Sequence, residues 1–136
     1  MTDGELSTAK KRILVIDDDL SLLTLNKAIL EMDGYEVTTA RGGEDALGVL
    51  KNSRLPNLIL LDMQMELMSG PEFLLKLEST RPEIIKSIPV VFLTAMDQVP
   101  LTKASGFIRK PMDLDAFLES VQRHIQAGVA PMTVET

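Results

Sequence analysis

The sequence predicts an α/β fold, a doubly wound parallel sheet with helices on both faces. Three observations carry this. Short apolar runs alternate with helical stretches five times along the chain. The central run, Leu58-Ile-Leu-Leu, is apolar without alternation, the mark of a strand buried on both faces. And four of the runs end on polar residues: Asp17-Asp18, Asp62, Thr94 and Lys110.

Residues 1–11 read as a polar tail and 12–17 as the first strand. The first helix is expected over 21–32, where Leu22, Leu25, Ile29 and Met32 follow the spacing of a buried stripe. Asp33-Gly34 ends it with turn chemistry, and the alternating stretch 35–39 is a short strand. A second helix over 44–50 turns Ala46, Leu47 and Leu50 inward after Gly42-Gly43. The third strand is 58–61. Ser69-Gly70-Pro71 then opens a helix with proline at its first position and Phe73, Leu74 and Leu77 as its core stripe. Residues 88–93 and 107–109 are the fourth and fifth strands. A last helix over 113–126 aligns Leu114, Phe117, Leu118, Val121 and Ile125, and 127–136 is a tail or a linker.

The 136 residues suit one domain, here residues 12–126, and 45% apolar with 25% charged is ordinary for a globular protein. A net charge of −6 argues against a nucleic-acid surface, which wants clustered Lys and Arg. The chain has no cysteine, hence neither disulfide framework nor thiolate chemistry. No stretch approaches the roughly 18 apolar residues of a membrane span. Residues 1–11 lack the apolar core of a secretory signal, so a cytoplasmic location is expected. His124, the only histidine, sits near a helix C-terminus, where partial positive charge is mildly stabilising; no catalytic role falls to it.

In open parallel sheets, ligands bind beyond the C-terminal ends of the strands. Asp17, Asp18 and Asp62 would crowd there and repel one another unless a cation joins them. Mg2+ prefers oxygen ligands and pairs with phosphate oxygens, so the site reads as a carboxylate pocket for a metal ion and a phosphoryl group. Asp19 is set apart as the cap of the first helix.

At this point the chain resembles the receiver domain of two-component response regulators, over residues 12 to 126. The acidic pair follows the first strand; the run Asp62-Met-Gln-Met-Glu-Leu-Met-Ser-Gly70 resembles the family loop Asp-x-x-Met-Pro-x-Met-x-Gly; Leu93-Thr94-Ala95 and Lys110-Pro111 match the remaining signatures. The resemblance implies a flavodoxin-like sheet of order 2-1-3-4-5 and a phosphoacceptor at Asp62. It implies Mg2+ held by Asp18, Asp62 and the backbone carbonyl of Gln64, with Asp17 acting through water. Thr94 and Lys110 would contact phosphoryl oxygens, and Phe107 matches the switch aromatic. The implied partners are a sensor histidine kinase or phosphotransfer protein and a downstream protein or output domain. The chain departs from the pattern twice. Glu66 stands where the family loop has Pro. Only residues 95–105 lie between Thr94 and the run that starts at Gly106, which leaves a shortened or missing fourth helix of about one turn starting at Pro100.

Two other functions compete. Glu66 and the short link suit a degenerate receiver that binds proteins without phosphorylation. Asp17-x-Asp19 resembles the nucleophile motif of haloacid dehalogenase-type phosphatases, but no late acidic pair follows Lys110, no substrate cap is evident, and the Asp62 loop would go unexplained. The expectation is therefore a signalling switch that assists its own phosphorylation, not a conventional enzyme.

Overall fold

The computed structural model describes residues 9–95, 103–110 and 113–129. Ten elements follow in the order β1 (Arg12–Ile16), α1 (Leu20–Met32), β2 (Glu36–Ala40), α2 (Gly43–Asn52), β3 (Leu58–Asp62), α3 (Gly70–Thr80), α4 (Pro82–Ser87), β4 (Val90–Thr94), β5 (Gly106–Arg109) and α5 (Leu114–Ala127). The five strands form one sheet of order β2-β1-β3-β4-β5. All four pairings are parallel, with Ile13 opposite Leu58, Leu61 opposite Phe92 and Phe92 opposite Phe107. This is the doubly wound parallel sheet that the alternating pattern predicts, in the flavodoxin-like order that the resemblance implies.

Successive strand side chains point to opposite faces. Leu14, Ile16, Ile59, Leu61, Val90 and Phe92 pack on one side with Ala46 and Leu50 of α2, Phe73, Leu74 and Leu77 of α3, and Ile84 and Ile85 of α4. Ile13, Val15, Leu58, Leu60, Val91 and Leu93 pack on the other with Leu23 and Leu30 of α1 and Val121 of α5. Leu58 to Leu61 are at most marginally exposed, as an apolar strand covered on both faces should be.

Helix ends are set locally. Asp19 caps α1, its Oδ1 accepting from the Ser21 and Leu22 backbone N–H groups. Gly34, at φ 97°, takes the left-handed conformation that turns the chain into β2. Ser69 and Glu72 form a reciprocal capping box at the start of α3.

The structure corrects two expectations and adds one element. The buried residues of α1 are Leu23 and Leu30, whereas Leu25 is 53% and Met32 87% exposed. Leu22, Leu25 and Ile29 instead edge a cleft of about 290 Å³ beside α5, whose Leu114 is 52% exposed rather than buried. The α1 sequence holds two leucine frames one residue apart, and only the packing against β1 chooses between them. The six-residue α4, with Pro82 in its first turn, was not expected. The short helix expected between β4 and β5 falls mostly on residues 96–102, outside the described residues, as do the outer parts of both tails. Among the described residues no helix is long and apolar enough to cross a membrane.

Candidate functional site

The carboxyl ends of β1, β3, β4 and β5 converge on one edge of the sheet. Asp62 is the last residue of β3 and Thr94 the last of β4. Asp17 and Asp18 follow β1 directly, and Lys110 follows β5. The backbone continues the ladder past the strands: the Asp17 N–H donates to Ala40 O at 3.1 Å, Met63 N–H to Leu93 O at 3.1 Å and Lys110 N–H to Thr94 O at 2.6 Å. These bonds set the height of the site residues relative to one another.

Asp17, Asp18 and Asp62 each offer a carboxylate oxygen within 4.8 Å of the others. The Lys110 ammonium lies 3.3 Å from Asp62 Oδ1. Asp17 is 1% exposed and Asp62 8%, while Asp18 is exposed. Burial pushes the Asp17 carboxyl up from its ordinary 3.8 to about 6. The Asp19 N–H, donating to Asp17 Oδ1 at 3.0 Å, opposes the rise; repulsion from Asp62 adds to it; Lys110 lowers it; and Asp18 adds the smallest contribution.

The other oxygen of that group, Asp17 Oδ2, is buried with no hydrogen-bond partner. Buried carboxylate oxygens are ordinarily paired, so this one marks a place where the protein alone does not complete the site. A hard divalent cation with oxygen ligands would complete it. The donor set fits Mg2+.

The sequence-selected residues divide in the structure. Asp17, Asp18, Asp62 and Lys110 come together, and Thr94 is buried at the same edge. Gln64 lies on the exposed loop just beyond Asp62. Phe107 is half-buried in mid-strand and packs against the core on the α3 side. Asp19 turns to the helix start instead of the pocket, so an Asp17-x-Asp19 phosphatase pair does not assemble.

Two contributors escaped the sequence reading of the site. Gly70 closes the loop after β3 by donating its N–H to Met63 O at 2.9 Å. A Cβ there would stand 2.8 Å from Asp62 O and 2.9 Å from Met63 Cα, so only glycine fits beneath the site. Its place at the end of the loop pattern was the available signal. The second is the Glu66 backbone N–H, which reaches Asp18.

A parallel sheet of this order, with a carboxylate cluster, a threonine and a lysine at its carboxyl edge, has the architecture of a signalling receiver. The chain belongs to the response regulator receiver domain family, whose profile matches residues 13–122. It is similar to the transcriptional regulatory protein GlrR of Escherichia coli K12, 30% identical over 96% of this chain and 29% of GlrR. The chain thus spans less than a third of that relative's length. Among solved structures it resembles chemotaxis protein CheY4 of Vibrio cholerae, with TM-score 0.74 and 30% identity over 85% of this chain and 98% of that one. It also resembles response regulator TrrA of Thermotoga maritima, solved in complex with Mg2+-BeF, with TM-score 0.71 and 30% identity over 83% of this chain and 97% of that one.

Proposed function

We propose that this receiver domain accepts a phosphoryl group on Asp62 from a phosphohistidine of a sensor kinase or phosphotransfer protein, and that the acyl phosphate changes a protein-binding surface. The observation that carries this reading is the meeting of three carboxylates within 4.8 Å beside the Lys110 ammonium.

Phosphoryl transfer needs positioning and charge neutralisation more than covalent assistance. Asp62 is the member of the trio with an amine on one oxygen, which leaves the other oxygen to attack phosphorus. The new O–P bond forms as the donor's P–N bond breaks, and the imidazole departs with the electron pair. Lys110 then pairs with a phosphoryl oxygen in place of the carboxylate. The Thr94 hydroxyl, at the end of the neighbouring strand, donates to another. Asp17, Asp18, Asp62 and the Gln64 carbonyl would hold Mg2+, which neutralises charge on the transferring group. Phe107, half-buried in β5 and three residues before Lys110, is the proposed reporter of the change.

The phosphoryl group adds about −1.5 to −2 charges at a site that already carries three carboxylates, so its arrival reorders the donors around it. Incubation with a small acyl-phosphate donor and Mg2+, read by mass spectrometry, should give one phosphoryl adduct, located at Asp62. Asp62→Asn is nearly isosteric and a poor nucleophile; it should give no adduct while its circular dichroism matches the parent. Equal incorporation in this variant removes Asp62 as the acceptor. No adduct on the parent points instead to a phosphorylation-independent binding module.

A further inference from the structure

The loop between β3 and α3 makes one contact that the proposed function leaves unused. The Glu66 backbone N–H donates to Asp18 Oδ2 at 2.8 Å. The family loop pattern has Pro at this position, and Pro has no N–H to give. The chain therefore holds a donor where that pattern has none, and the donor lands on a carboxylate of the acidic cluster.

Asp18 is exposed, so nothing in the core fixes its side chain. One hydrogen bond to Oδ2 selects a rotamer, and a carboxylate has about four lone-pair sites, so accepting one N–H leaves room for a cation. The bond also ties the segment after β1 to the loop that carries Gln64. The far end of that loop is pinned by Gly70 N–H on Met63 O. The Glu66 side chain is exposed, so the contact belongs to the main chain.

We propose that the Glu66 N–H is a positioning group for the metal site. It holds the Asp18 carboxylate in its ligating orientation and braces the loop, where a proline would do so through its fixed φ. The assignment rests on the metal reading above. Groups that hydrogen-bond to ligating carboxylates typically account for 10- to 100-fold in metal affinity.

Three substitutions separate the N–H from the carboxylate. Glu66→Ala and Glu66→Gln keep the donor and should bind Mg2+, added alone and followed by calorimetric titration, with Kd close to the parent. Glu66→Pro removes the donor and should raise Kd by about 10-fold or more. A metal-free measurement stands beside this. Amide hydrogen exchange by NMR should find the Glu66 N–H protected in the parent and in Glu66→Gln, and unprotected in Asp18→Ala. That reading does not depend on the proline variant folding. Equal Mg2+ affinity in Glu66→Pro and parent, equal losses in all three Glu66 variants, or a Glu66 amide indifferent to Asp18→Ala each overturns the assignment alone. A parent that takes up no Mg2+ overturns the metal reading, and the assignment with it.

Discussion

Asp17 and Asp18 are neighbours of identical chemistry, yet one is buried and the other exposed. The difference has a consequence for pH. Because the Asp17 pKa is raised in the folded state, the native protein binds more protons than the unfolded chain between about pH 4 and 6. Stability from this group is fully present below the unfolded value of 3.8 and is lost as pH rises through about 6. Asp17→Asn removes the titration. In metal-free buffer the variant should match the parent near pH 4 and exceed it by roughly 1–2 kcal/mol at pH 7, since one pKa unit is about 1.4 kcal/mol and coupling to Asp62 and Lys110 shares the shift. Urea denaturation at the two pH values checks this, and a constant difference between them contradicts it. Saturating Mg2+ should shrink or reverse the advantage, because the cation stabilises the folded parent by mass action. His124 titrates in the opposite sense. Its imidazole is half-buried over Gly106, where a Cβ would stand 2.6 Å from Cε1. Burial first, and then Arg123, lower its pKa. Both effects favour the neutral imidazole, and its packing over Gly106 rather than a charge at the end of α5 accounts for its place. The candidate residues that meet at the sheet edge, Asp17, Asp18, Asp62, Thr94 and Lys110, were legible in the sequence because they close apolar runs. The Glu66 contact was not, since it joins residues that only the folded sheet makes neighbours.

Among the elements, the segment from β3 to α3 carries the tightest constraint. Ser69 caps the helix, Glu72 answers the cap, and Gly70 lies against the Asp62 and Met63 backbone. Gly70→Ala forces main chain to move, because both close atoms are backbone. Overpacking of this kind costs about 1–3 kcal/mol, and the displaced atoms carry Asp62. We expect a lower midpoint in urea and slower acyl-phosphate incorporation at Asp62, whereas Gly48→Ala, inside α2 where an added Cβ meets nothing within 4 Å, should raise the midpoint, as Ala is favoured over Gly in a helix by about 1 kcal/mol, and leave incorporation unchanged. Equal behaviour of the two variants would show that the loop absorbs the methyl elsewhere. The strands were legible because burial on both faces leaves them almost wholly apolar. α1 was located but turned the wrong way: Leu20, Leu22, Leu23 and Leu25 satisfy more than one helical face, and the sheet decides among them. The six residues of α4 are too few for a periodic signal, and only Pro82 announced its start.

At the scale of the whole molecule, the sheet divides the interior into two cores that share every strand. Leu60 and Leu61 are both 0% exposed and point to opposite sides. Replacing either by Ala should cost roughly 2–5 kcal/mol, a large share of the total of roughly 5–15 kcal/mol typical of native proteins. Because the strands are common to both layers, neither core should melt alone. Far-ultraviolet circular dichroism and the fluorescence of Tyr35, which packs in the Leu60 core, should report one coincident transition for parent, Leu60→Ala and Leu61→Ala. Should Leu61→Ala lose ellipticity before the Tyr35 signal moves, the two layers are separate cooperative units.

The all-parallel pairing also bears on how the chain leaves the ribosome. No two neighbouring strands are joined by a hairpin, so each must wait for a crossover to be synthesised. At roughly 5–20 residues per second, the stretch from Asp62 to Lys110 takes several seconds to emerge. During that interval the acidic residues are present without their ammonium partner. β4, Val90–Thr94, is wholly buried in the finished sheet, yet until β5 arrives one side of it is bare. An apolar strand with an open edge invites pairing with other chains. The four residues of β5 thus serve as a cover as well as a scaffold, and a released chain that ends just before Gly106 would present the open edge of β4 to other chains.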